Sequence, residues 1–204
     1  MTTRSLKAAL LTSAVLGAVL APAAAASARS LTIDDSTADT WENVYNPDTQ
    51  SDDWFAAGSM LNTDITKTVV KHSTNKIIIT TTFYDLKAKD ARYGVVDRLR
   101  FDHGPKVVAD VDTNGKWKGQ AYLFTDHSGE QIKCAGLTHA IDYTADTVQV
   151  SIPRSCVGKP AWAEVAEFSV SNVTDDAGTT HSYIDDAATA GHKFGSWSDK
   201  VRRG

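Results

Sequence analysis

The sequence predicts an all-β domain, an antiparallel β-sandwich of jelly-roll-like form closed by one disulfide, and three observations carry that expectation. Valine and isoleucine dominate the apolar residues between Ile65 and Val170. They arrive in short bursts separated by Gly, Asn, Asp or Pro, the pattern of β-branched strands punctuated by turns. The chain holds two cysteines, Cys134 and Cys156, with no C-x-x-C spacing to tune a thiolate, so a structural bridge between them is expected.

The first residues read apart from the domain. Arg4 and Lys7 make a positive start, and residues 8–20 are nearly free of polar side chains. That apolar stretch is shorter than the roughly 20 residues that cross a bilayer, and Pro22 and an alanine-rich segment follow, with small residues at Ala26 and Ala28. We expect a signal peptide over residues 1–28 and a secreted, extracellular product, residues 29–204, folding as a single domain. No cysteine near the junction offers a lipid anchor and no arginine pair marks the twin-arginine route, so no membrane anchor is expected. Cleavage removes Arg4 and Lys7, taking 21 basic residues against 25 acidic to 19 against 25. Apart from Lys200-Val201-Arg202-Arg203 there is no basic run, which argues against a nucleic-acid partner.

Residues 29–60 are polar and carry Asp34, Asp35, Asp39, Asp48, Asp52 and Asp53 with Trp41 and Trp54. They read as loops anchored on the sheet by their aromatics. Strands are expected over 65–71, 76–84, 95–101, 106–111, 117–125, 138–143, 147–152 and 162–170. Val107, Ala109 and Val111 share one face, and Asp112-Thr113-Asn114-Gly115 then supplies a hairpin turn. Thr144-Ala145-Asp146 makes the next turn, after which Val148, Val150 and Ile152 share a face until Pro153. One helical turn over 154–158 would bring Cys156 back to Cys134. A last hairpin is expected to join 170–173 to 181–184, followed by a Gly- and Ser-containing tail, mobile at its end.

Asp110-x-Asp112-x-Asn114-Gly115 matches the first half of a calcium loop, but position twelve is Ala121 where a bidentate glutamate would stand, so an EF-hand is excluded. Two readings remain: turn chemistry, which accounts for every residue type, and a weaker β-loop calcium site on Asp110, Asp112 and Asn114. The acidic pairs Asp34-Asp35, Asp175-Asp176 and Asp185-Asp186 are either solvated turns or, if they meet in space, further oxygen ligands for calcium. Six histidines stand singly, without the spacing of a zinc site, and no other cofactor is indicated. No G-x-S-x-G elbow is present, and any Asp/Glu pair brought to the right separation would serve a glycosidase, so the acids carry little information and enzymatic activity is not the leading expectation. Sugar rings stack on exposed aromatic faces, which makes Trp41, Trp54, Trp117 and Trp197 the candidate ligand-binding residues. Packing over the ends of the sandwich is the alternative role, and Trp162 reads as core.

Asp64-Ile65, Ile77-Ile78-Ile79, Phe83-Tyr84-Asp85-Leu86, Cys134-Ala135-Gly136-Leu137, Ile152-Pro153-Arg154-Ser155-Cys156 and Pro160-Ala161-Trp162 together resemble a group of small secreted β-sandwich proteins of actinobacteria. That resemblance covers about residues 60–170 and implies no catalytic residues. More loosely, the domain is similar to carbohydrate-binding modules of the family-nine type, which implies sugar binding. The leading expectation is a monomeric, non-catalytic binding protein for polysaccharide or cell-wall material. A secreted hydrolase with an unrecognised carboxylate site and a cell-surface protein-interaction factor are the alternatives.

Overall fold

The computed structural model describes residues 29–46, 50–176 and 179–204; the expected signal peptide, residues 1–28, lies outside them. Among the described residues, thirteen strands form two antiparallel sheets: β1 (Arg29–Asp34), β2 (Thr40–Asn46), β3 (Ser51–Gly58), β4 (Ile65–His72), β5 (Lys76–Phe83), β6 (Arg92–Phe101), β7 (Val107–Asp112), β8 (Gln120–Thr125), β9 (Thr138–Asp142), β10 (Thr147–Pro153), β11 (Trp162–Thr174), β12 (Thr180–Asp186) and β13 (Val201–Arg202). The five-stranded sheet runs β1-β4-β5-β10-β9 and the eight-stranded sheet β3-β2-β12-β11-β6-β7-β8, with β13 on β11. An antiparallel sandwich with one disulfide is therefore what the chain forms. No helix among the described residues is long and apolar enough to cross a membrane.

Alternation writes the core. Val70, Ile77, Ile79, Val148, Val150 and Ile152 point inward from one sheet, and Val95, Leu99, Val107, Ala109, Val111, Leu123 and Val165 from the other. Burying such side chains stabilises the fold by about 1.5–3 kcal/mol each. The 3-10 turn Arg154–Val157 follows β10 as expected, and Cys134 and Cys156 are bonded with Cα atoms 5.5 Å apart.

Three expectations are corrected. Much of the stretch expected as loops, residues 29–60, is strand: 29–34 form β1 on β4, and 40–46 and 51–58 form the β2–β3 pair on β12. The β2–β3 pair lacks the apolar alternation of a core strand, and Tyr45 and Phe55 stay about half exposed on opposite faces of it. Trp117 does not begin a strand; it stands in the β7–β8 turn, and β8 starts at Gln120 because Gly119, at φ +72°, turns the chain first. The C-terminal tail is held at its end. Val201 is buried opposite Ala163, its carbonyl accepts from His72 Nδ1 at 3.0 Å, and Gly204 N donates to the His72 carbonyl. The tail thus ties the two sheets together at one end.

Candidate functional site

Strand registers place Arg92, Gly94 and Val96 of β6, Asp110 and Asp112 of β7, and Val170 and Asn172 of β11 on the outer face of the eight-stranded sheet. With Asn114 they line a groove beside the β7–β8 turn. Gly94 forms its floor: a Cβ there would lie 3.6 Å from Asp110 Oδ1 and 3.8 Å from Val170, so the missing side chain leaves the carboxylate open. Burial, with Asp112 alongside, pushes the Asp110 carboxyl up to about 6, and among the described residues it has no hydrogen-bond donor. Arg92 is fixed from two directions. Its Nη1 donates to the Thr113 carbonyl, and its guanidinium lies 4.0 Å from the centre of the Trp117 ring. Asn172 accepts from the Ser182 hydroxyl at 2.8 Å and keeps both amide N–H groups for a ligand.

The sequence-derived residues can be placed on this frame. Asp110, Asp112 and Asn114 share the groove, but Asp112 Oδ1 accepts from Asn114 N at 2.9 Å and from Gln120 Nε2 at 3.3 Å, the pattern of an Asx turn. Trp117 offers Arg92 one ring face and so positions a cation beside the groove. Trp41 and Trp54 lie on the same outer face at the β2–β3 end, 4.9 and 5.8 Å from the His192 ring, with Phe194 5.5 Å from Trp54. Trp197 packs against Arg100 at 4.5 Å, with Arg98 and Lys106 at 5.8 and 5.9 Å. Neither these three nor Trp117 itself lines the groove. Trp162 is covered by Lys200 Nζ at 4.3 Å.

Two further acidic groupings escaped the sequence. Asp97 and Glu167 face each other across β6 and β11 inside the sandwich, and Thr81 of the opposite sheet donates to Glu167 Oε1. Burial raises both carboxyls; Glu167 raises Asp97 further, whereas hydrogen bonding, from Thr81 first, partly offsets the rise at Glu167. At 1% and 2% exposure, the pair is closed to a polymer substrate. The second grouping is Asp35, Asp39, Asp64 and Asp185. Asp35 and Asp39 lie in the β1–β2 loop, Asp64 in the turn before β4 and Asp185 on β12. Burial pushes Asp35 up to about 7 and Asp185 up to about 8, reinforced by neighbouring carboxylates, and Asp39 and Asp64 are raised for the same first reason. Asp35 and Asp185 belong to the doublets singled out above, whereas Asp39 and Asp64 gave no local signal.

Asp185 and Asp186 diverge, as neighbours in a strand must. Asp185 turns inward, while Asp186 accepts from Ala188 N at 3.0 Å and Gly195 N at 2.5 Å, holding the segment that carries His192, Phe194 and Trp197 over the outer face. Comparison with protein-family models, curated proteins and solved structures finds no match, so the functional argument rests on these side chains.

Proposed function

We propose that the protein is a secreted, non-catalytic binding module for polysaccharide or cell-wall glycan, and that the groove on the outer face of the eight-stranded sheet receives the sugar. One observation carries this reading: a buttressed cation (Arg92), an unpartnered carboxylate (Asp110) and amide donors (Asn114, Asn172) converge on a floor of Gly94, Val96 and Val170. A sugar ring has the complementary surface, with hydroxyls that donate and accept around its rim and apolar C–H faces between them. Trp117 contributes by orienting Arg92. Trp41 and Trp54 lie further along the same face, where a longer chain would meet them.

Co-sedimentation with purified cell wall and a panel of insoluble polysaccharides tests the proposal. The expected result is saturable binding that Asp110→Ala reduces at least tenfold and that Trp162→Phe, remote from the groove, leaves unchanged. Absence of binding to every polymer overturns it. Release of reducing ends from any polymer would replace binding by hydrolysis at Asp110 and Asp112.

A further inference from the structure

We infer that Asp35, Asp39, Asp64 and Asp185 form a calcium site that ties the β1–β2 loop, the turn before β4 and strand β12 to one another. Asp35, Asp39 and Asp185 each present a carboxylate oxygen within 4.8 Å of the other two. Oxygens bound to one calcium at roughly 2.4 Å lie at most about twice that distance apart, so a single ion can reach all three. Asp64 belongs to the same cluster, because its Oδ2 accepts from Ala38 N at 3.0 Å, inside the loop that carries Asp35 and Asp39.

The state of the carboxylate oxygens is an independent observation. Asp35 Oδ2, both oxygens of Asp39, Asp64 Oδ1 and Asp185 Oδ1 are buried and have no hydrogen-bond partner. Asp64 is 0% exposed and Asp185 1%, so water cannot solvate these atoms from outside. Asp185 Oδ2 accepts from Ile65 N at 2.6 Å, which fixes the carboxylate while leaving Oδ1 unused. Among the described residues, none of the four acids pairs with a lysine, arginine or histidine. Buried carboxylate oxygens left without a donor, on acids without a counter-charge, are unfavourable unless a cation supplies the missing partner.

The donor set selects the cation. Every ligand is a hard carboxylate oxygen and no imidazole or thiolate takes part, which favours calcium or magnesium over zinc or copper. Magnesium keeps most of its water and takes one or two protein carboxylates, whereas calcium accepts six to eight oxygens in irregular geometry. Three convergent carboxylates from the β1–β2 loop and β12, with Asp64 held against that loop, fit calcium. The site also governs neighbouring structure, since Asp39 immediately precedes β2, so the ion fixes where the strand bearing Trp41 leaves the sandwich.

Calorimetric titration of the EDTA-stripped protein with calcium chloride and, separately, magnesium chloride tests the assignment, alongside thermal melting. We expect one calcium per chain, and a rise in midpoint of about 5–10 °C at a hundredfold excess over the dissociation constant. Magnesium at equal concentration should give less than a quarter of that rise. Asp39→Asn, which removes one repelling charge, should melt no lower than the stripped parent and lose the calcium increment, as should Asp35→Asn. Asp112→Asn, in the other acidic loop, should keep it. No heat and no shift at millimolar calcium overturns the site, and so does a full increment in Asp39→Asn or its loss in Asp112→Asn.

Discussion

Replacing Cys134 and Cys156 together by serine should destabilise the protein by about 3 kcal/mol. The two residues are 22 apart in sequence, and cross-linking a loop of that length removes roughly this much chain entropy from the unfolded ensemble. Both cysteines are only partly buried, so lost packing adds little and loop closure dominates. For a domain of this size the loss corresponds to a drop of roughly 10 °C in melting midpoint. The effect should also be local. Among the described strands β9 pairs only with β10, and the bridge ties the segment leading into β9 to the turn that ends β10. Thermal melting by circular dichroism under non-reducing conditions measures the global loss, and amide hydrogen exchange reads β9 against β5. A midpoint within 2 °C of the parent, or β9 amides no faster relative to β5 than before, would refute the reasoning.

Other outcomes follow from the same structure. Gly94→Ala meets Asp110 and Val170 only at ordinary contact distance, so it should leave stability unchanged or raise it by about 0.5 kcal/mol while weakening polysaccharide binding several-fold in co-sedimentation. Arg154 is buried and donates to the carbonyls of Thr74, Lys159 and Pro160; Arg154→Ala orphans all three and should cost about 3–5 kcal/mol by urea unfolding, with Arg154→Lys intermediate. Raised carboxyl groups in the Asp97–Glu167 pair bind protons more tightly in the folded state. Their contribution is therefore full below the ordinary Glu range and is lost as the pH climbs towards about 7, where Glu167 ionises. Glu167→Gln should flatten that decline between pH 5 and pH 8, seen as a smaller change in urea midpoint than in the parent.

Legibility in the sequence followed burial. Strands sandwiched between the sheets, such as β7 and β10, alternate apolar and polar residues because one face meets the core, and their turns announced themselves through Asp112-Thr113-Asn114-Gly115 and Pro153. Strands β2 and β3 carry Glu42, Asn43, Asp52 and Asp53 among their aromatics, so no period of two stood out. The groove acids Asp110 and Asp112 drew notice as a motif, whereas Arg92 and Asn172 joined them only through the pairing of β6 with β7 and β11. Asp39 and Asp185 are separated by most of the chain and meet because β2 lies beside β12. No local pattern encodes such a meeting.

The Asp185–Asp186 doublet bears on folding fidelity. A one-residue slip of β12 would keep an aspartate in only one of the two positions: either Asp186 enters the interior cluster and Ala187 takes the surface site, or Asp185 takes the surface site and Ile184 enters the cluster. At this point the strand penalises misregistration, because a slip in one direction leaves Gly195 N without its acceptor and a slip in the other leaves Ile65 N without its own. The hairpin in which Asp175 Oδ1 accepts from Thr179 N at 2.8 Å, and the Ser182–Asn172 bond, which a slip would break, oppose the same error. Lengthening that hairpin by one residue is thus the change most apt to yield a chain in which one of the two aspartate positions is wrongly filled.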